Sequence, residues 1–153
     1  MRLCFAISLP ITLVASISAA ENVVAYTISD GQRIEVPLTR KTGDWQRGRD
    51  LFFDRSLTGC SSCHGSPGGP GAEIAAENRN APDLSGIAGR MSEGEIRLWI
   101  VAPVVLKPET EMPGFYLAGQ RTDADSPVIN GPWLNANQIE DIVAYLTHQT
   151  ASQ

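Results

Sequence analysis

The sequence predicts an all-α domain with long loops, preceded by a short β-hairpin. Three segments carry helix start signals followed by apolar residues at helical spacing. Two long polar connections rich in Gly, Pro, Asn and Asp, residues 65–81 and 103–133, lie between these segments. Loops of this length in a small domain are usually functional or wrapped around a ligand. A chain of 153 residues with 42% apolar content suits one such domain.

Residues 1–20 have the features of a secretory signal peptide. Arg2 gives a positively charged start, residues 4–15 are almost wholly apolar, and Ala19 and Ala20 supply small residues for cleavage. An uncleaved anchor is the alternative, but the apolar run is shorter than the roughly 20 residues that a spanning helix needs. We therefore predict export to the periplasm, cleavage near Ala20 and no membrane anchor in the mature chain.

Residues 21–43 are predicted to form an N-terminal extension that contains the hairpin. Two β-prone runs, VVAYTI and RIEVPL, flank the pair Asp30 and Gly31, which is typical of a hairpin turn. An isolated hairpin is only marginally stable, so the extension is expected to pack on the helical domain, residues 44–150.

The first predicted helix begins after Asp44, a good N-cap residue. Trp45, Gly48 and Phe52 fall on one of its faces. Gly48 costs such a helix about 1 kcal/mol relative to Ala, which is tolerable where another helix crosses closely. The sequence therefore predicts a close crossing at Gly48, and a glycine that is merely a weak helix position is the alternative.

The other two helices begin with capping boxes. Ser92 and Glu95 form the first box, and Asn135 and Gln138 form the second. Each box is followed by an apolar stripe: Ile96, Trp99 and Ile100 in one helix, and Ile139, Ile142, Val143 and Leu146 in the other.

The net charge of the chain bears on which kinds of binding partner it can have. The chain has 17 acidic and 12 basic residues, giving a net charge of −5. An acidic chain argues against nucleic acid or an anionic membrane surface as a binding partner.

The stretch from Cys60 to His64 reads Cys-x-x-Cys-His. Cleavage of the signal peptide removes Cys4, so Cys60 and Cys63 are then the only cysteines. In a turn of helix the two thiols and the imidazole share one face and can point at one object. That object is a zinc ion, a redox disulfide or a haem.

Haem fits this pattern best. A structural zinc site needs four protein ligands, and His148 is the only other histidine. A redox Cys-x-x-Cys is expected in a βαβ setting, which the helical pattern lacks, and a bridge across so short a loop stabilises little. Cys-x-x-Cys-His is the attachment sequence of c-type haem, with Cys60 and Cys63 as thioether anchors and His64 as an iron ligand.

A second axial ligand is sought among Met112, Met91 and His148, with an open iron site as the remaining alternative. Met91 is placed to staple the second helix, and His148 falls in a solvated tail after the last apolar stripe. Met112 lies in a proline-held loop, KPETEMPGFY, from which a thioether can reach the far face of a haem. We predict Met112 as the ligand, which favours one-electron transfer over ligand binding.

These features together resemble the class I cytochrome c family. They are the glycine-containing first helix, Cys-x-x-Cys-His, the PDLSG stretch, the Met-Pro loop and the amphipathic last helix. The resemblance implies a fold with long loops around one covalent haem c. It also implies that the carbonyl of Pro82 holds the second ring nitrogen of His64, and that the first and last helices cross with Phe52 near Tyr145.

Several segments are more closely similar to the SoxX family, the small cytochrome subunits of SoxAX complexes in bacterial sulfur oxidation. They are YTISDGQRIEVPLT, GDWQRGRDLFFDRSLTGCSSCHG, APDLSGIAGR, PETEMPGFY and LNANQIEDIVAYL. Residues 118–132 do not match a motif of that family. The resemblance implies a SoxA-like partner subunit, which carries the sulfur chemistry, a SoxYZ-like carrier protein whose cysteine receives thiosulfate, and a soluble electron acceptor.

Three alternatives stay open at this point. A free-standing periplasmic electron shuttle would share every haem residue named above. A haem protein that binds a small ligand would lack the methionine at the iron. A zinc-binding structural module would hold no haem at all.

Overall fold

The computed structural model describes residues 23–64, 81–117 and 132–148. These residues form four α-helices: α1 Trp45–Phe53, α2 Cys60–Cys63, α3 Glu93–Val101 and α4 Ala136–His148. Two short 3₁₀ helices, Ile87–Gly89 and Pro103–Val105, flank α3. The described domain is thus mostly helical, as predicted. The predicted signal peptide, residues 1–20, lies outside the described residues.

Helix α1 begins as its sequence predicts and crosses α4 at a glycine. The Asp44 carboxylate accepts the backbone N–H groups of Gln46 and Arg47. A Cβ atom on Gly48 would lie 1.8 Å from the backbone oxygen of Asp141 in α4, far closer than two non-bonded atoms can approach. The rings of Phe52 and Tyr145 meet one turn further on, with centroids 5.4 Å apart. Both the close crossing and the contact between Phe52 and Tyr145 are confirmed.

The capping boxes of α3 and α4 are also confirmed. The Ser92 hydroxyl accepts the Glu95 N–H, and the Glu95 carboxylate accepts the Ser92 N–H in return. Asn135 and Gln138 exchange the same pair of bonds, each 2.9 Å long. Of the stripe predicted in α3, Trp99 is only half-buried and lines an open groove of about 320 Å³ beside the turn at Gly31.

The hydrophobic core lies between α1, α3 and α4. All of its largest contributors are less than 4% exposed: Phe52, Ile96, Leu98, Val101, Phe115, Tyr116, Leu134, Ile139, Ile142 and Val143. The extension adds Ile34 and Leu38, which are 1% and 5% exposed, so the extension is part of this core.

The predicted N-terminal hairpin is not confirmed. In residues 23–43 the only strand-like pairing is one isolated bridge between Ser29 and Arg33, across a turn in which Asp30 and Gly31 both have positive φ. Beyond this turn the chain bonds to the helical domain, because Ile34 N donates to Gly94 O and Arg97 donates to Ile34 O. The turn signal was correct, but contacts with α3 replace the second strand.

Two ion pairs join α3 and α1 to buried carboxylates of α4; Arg97 of the first pair is itself buried, whereas Arg47 of the second is exposed. The guanidinium of Arg97 in α3 binds both carboxylate oxygens of Glu140 at 2.8 and 2.9 Å. The guanidinium of Arg47 in α1 binds both carboxylate oxygens of Asp141 at 2.9 Å. Glu140 and Asp141 are almost fully buried, and a buried carboxylate is costly unless it is paired and hydrogen-bonded, so these contacts are important for the fold.

The glycine at the crossing gives a direct test. We expect Gly48→Ala to destabilise the domain by about 3 kcal/mol or more, because the new methyl group would force α1 away from α4. Gly89→Ala is the matched control, since a Cβ atom there would meet nothing within 4 Å. Urea unfolding measures both variants. Equal stabilities for the two variants would contradict the close packing described here.

The capping box of α3 predicts a pH dependence. The pKa of Glu95 lies below its ordinary value of 4.5, chiefly because the carboxylate accepts the Ser92 backbone N–H and also the Ser92 hydroxyl. A carboxyl whose pKa is lowered by folding stabilises the fold above its unfolded value and loses that contribution as the pH falls through the folded value. The free energy of unfolding should therefore decrease more steeply between pH 5 and 3 in the wild type than in Glu95→Gln. Glu109→Gln, on an exposed loop, should keep the wild-type slope.

Candidate functional site

The two cysteines lie on a single turn of helix that is fixed by the end of α1. Gly59, at the N-cap of α2, has a φ of +63°, a conformation in which a glycine avoids strain. Cys60 faces the protein interior, and burial raises the pKa of its thiol. Cys63 is exposed, and both thiols are free. The site therefore presents two cysteine side chains three residues apart, and the structure does not join them in a disulfide.

The chain between α1 and α2 is a hydrogen-bonded turn. The backbone oxygen of Asp54 accepts the N–H groups of Thr58 and Gly59, and its carboxylate accepts those of Ser56 and Leu57. The same carboxylate also accepts the Ser56 hydroxyl, which is the main reason why the pKa of Asp54 is lowered. Sequence reasoning missed this turn, although the Asp-x-Ser spacing is its signal.

His64 lies just outside α2 rather than on its face. Its backbone is extended, and its N–H donates to the Cys60 carbonyl. Its side chain is oriented by a residue 18 positions further on, since Nδ1 lies 2.8 Å from the carbonyl oxygen of Pro82. A proton on Nδ1 donated to Pro82 leaves Nε2 with a free lone pair, which is the form of imidazole that binds a metal.

The segment that follows Pro82 is held by hydrogen bonds of Asp83 and Arg90. Asp83 accepts the backbone N–H and the hydroxyl of Ser85, and these bonds lower the pKa of Asp83. The guanidinium of Arg90 donates to the carbonyls of Asp83 and Ser85. Leu84 packs against the hydrophobic core. Pro82 was expected here from the sequence, whereas the contacts of Arg90 were not.

Met112 lies on a separate loop that is anchored at its end. The side chain is half-buried and packs against the core. Three residues later, Phe115 N donates to Ile100 O in α3, and Leu134 N donates to Phe115 O. The adjacent Tyr116 is 1% exposed, and its hydroxyl accepts the Val24 N–H at 2.8 Å. The methionine loop is thus fastened to α3, to the segment before α4 and to the extension.

The other candidate ligands have structural contacts. Met91 packs against the core at the start of α3. His148, the last residue of α4, is exposed, and its ring stacks on that of Trp45 with centroids 4.2 Å apart and 6° between the planes.

The residues around α2 fit a covalently attached haem. The free thiols of Cys60 and Cys63 have the spacing for thioether bonds, and the His64 imidazole is already oriented with one nitrogen available. Within residues 23–64, 81–117 and 132–148, no three His, Cys, Asp or Glu side chains converge in a way that could hold a metal ion. The zinc alternative therefore gains no support from these residues.

The fold and this site are those of a cytochrome c. The cytochrome c family model matches residues 45–150, and the chain belongs to the cytochrome c family. Members of this family bind haem c covalently and transfer electrons. No curated protein matches the sequence. None of the helices in the described part of the chain has the length and hydropathy that a bilayer span requires.

The described structure is also similar to a chain in the crystal structure of SoxXA from P. pantotrophus. The two chains superimpose with a TM-score of 0.63 at 27% sequence identity, over 81% of this chain and 92% of that chain. The family model spans only residues 45–150, so a likeness over 81% of the chain extends into the segment before Trp45. This supports the resemblance to the SoxX-type cytochrome subunit predicted from the sequence.

Proposed function

We propose that this protein is the monohaem cytochrome subunit of a thiosulfate-oxidising SoxAX-type complex. The observation that carries the proposal is the likeness to SoxXA, which extends beyond the generic cytochrome c domain. The partner would be a SoxA-like subunit, and the complex would act on thiosulfate and a cysteine of a SoxYZ-like carrier. With its leader removed near Ala20, the chain would work in the periplasm.

In this proposal the residues around α2 hold one haem c. Cys60 and Cys63 would form the thioether bonds, His64 would bind the iron through Nε2, and Pro82 would fix the plane of the imidazole. Met112 would supply a thioether as the second protein ligand of the iron. When bound, the haem supplies one-electron chemistry, and the soft thioether raises its reduction potential.

The chain would serve the complex as an electron acceptor. Joining thiosulfate to a carrier thiol forms an S–S bond and releases two electrons and one proton. The chain would accept these electrons one at a time and pass each to a downstream cytochrome. Both cysteines of the mature chain are used as haem anchors, so the sulfur chemistry is assigned to the partner subunit.

The axial ligand is tested by replacing the methionine. In the haem-loaded protein, Met112→Ala should remove the thioether and give a high-spin or newly ligated iron, seen by absorbance and electron paramagnetic resonance, together with a lower reduction potential. Met91→Ala is the matched control and should leave the spectrum unchanged. If Met112→Ala retains the wild-type spectrum, Met112 is not the ligand.

The assignment to a complex is tested with the full chain and a SoxA-like protein coexpressed in a host that attaches c-type haem. We expect a stable heterodimer, and reduction of this chain's haem by thiosulfate only when the partner and the carrier protein are both present. The chain alone with thiosulfate is the control. A protein that stays monomeric and is reduced equally well alone would instead be the free-standing electron shuttle.

A further inference from the structure

The stretch from Asp83 to Arg90 contains a set of bonds that the proposed function leaves unexplained. Arg90 Nη2 lies 3.0 Å from the carbonyl oxygen of Asp83, and Nη1 donates to the carbonyl of Ser85. The planar guanidinium thus spans two carbonyls of the turn that immediately follows Pro82. A lysine cannot reproduce this paired geometry, because its ammonium group is a single point donor.

Arg90 is itself placed by the short helix before it. Residues Ile87–Gly89 form a 3₁₀ turn that ends at Arg90, and the Arg90 N–H donates to the Ile87 carbonyl at 2.9 Å. Gly86 starts this turn with a φ of +60°, which reverses the chain so that Arg90 faces back toward Asp83. The backbone therefore folds the arginine onto the carbonyls that it binds.

These contacts of Arg90 bear on the hydrogen bond between His64 Nδ1 and the Pro82 carbonyl oxygen. Pro82 is exposed, and its carbonyl belongs to the peptide group that joins it to Asp83. Since Arg90 fixes the next carbonyl along the chain, it restricts rotation of the peptide that presents the Pro82 oxygen to His64. The carboxylate of Asp83, bonded to Ser85, restricts the same turn from its other side.

We propose that Arg90 is a positioning residue for the axial histidine, acting through the Pro82 carbonyl. This inference rests on the proposed function, because His64 must be an iron ligand for its orientation to affect the haem. A strong bond from Nδ1–H to a carbonyl makes the imidazole a better electron donor and stabilises ferric iron. Loss of the two Arg90 hydrogen bonds weakens the bond between His64 and Pro82 and shifts the reduction potential upward.

Arg90→Lys in the haem-loaded full chain tests the proposal, because it keeps the charge and removes the paired donors. We expect a more positive reduction potential and about fivefold faster exchange of the His64 Nδ1 proton, the factor that corresponds to the net worth of one hydrogen bond. Nuclear magnetic resonance of the reduced protein reports that proton directly. Arg49→Lys, on the exposed surface of α1, is the control and should change neither quantity.

A second variant separates positioning from charge. Arg90→Gln also removes a positive charge, which by itself would shift the potential downward, yet the Nδ1 proton should again exchange faster. Unchanged exchange in both Arg90 variants overturns the proposal, while the haem and its ligands stand. A wild-type protein with no haem-bound His64 signal would overturn the proposed function itself, so the two failures are distinguishable.

Discussion

Two consecutive carboxylates buried on α4 hold the rest of the structure in place. Glu140 and Asp141 are 3% and 4% exposed, and a charge removed from water to this extent is costly unless it is paired and hydrogen-bonded. Glu140 therefore binds Arg97 of α3 and the Leu38 N–H of the extension, while Asp141 binds Arg47 of α1 and the Asp44 N–H. Neighbouring residues on a helix point in different directions, so two adjacent acids can bind α4 to elements on two of its sides.

The crossing at Gly48 lies beside Asp141, where the backbones of α1 and α4 approach closely.

The proposed haem site depends on this frame through two segments. Asp54 ends α1 and directs the chain into α2, so the position of the two thiols follows from how α1 crosses α4. The methionine loop is bound by Phe115 between Ile100 of α3 and Leu134 just before α4. The ion pair between Arg97 and Glu140 sets α3 against α4. The two segments that carry the predicted haem ligands are thus held by ion pairs to α4, although neither Arg97 nor Glu140 belongs to the site.

The sequence predicted features whose causes are local. The caps at Asp44, Ser92 and Asn135 depend on bonds within three residues, and the Cys-x-x-Cys-His pattern reflects covalent chemistry over five. The close crossing of α1 and α4 was predicted because Gly48 marks it locally. Other features with distant causes were missed or replaced. Arg97 sits in an apolar stretch, and nothing near it shows that its partner lies 43 positions away. The predicted hairpin is not confirmed: the chain turns at Asp30 and Gly31, but Ile34, which a second strand would have used, bonds to Gly94 of α3. The contacts of Arg90 were also missed, because this side chain binds backbone carbonyls and a backbone carbonyl leaves no signal in the sequence.

The choice of a backbone carbonyl as the partner of His64 has a chemical consequence for the proposed electron carrier. A carboxylate in that position would bear a charge, make the imidazole strongly electron-donating and lower the reduction potential. It would also titrate, so the orientation of the ligand would depend on pH. The Pro82 carbonyl is neutral and has no proton to lose or gain. In the proposed function, a neutral partner for His64 and the thioether that Met112 would supply both favour a high reduction potential.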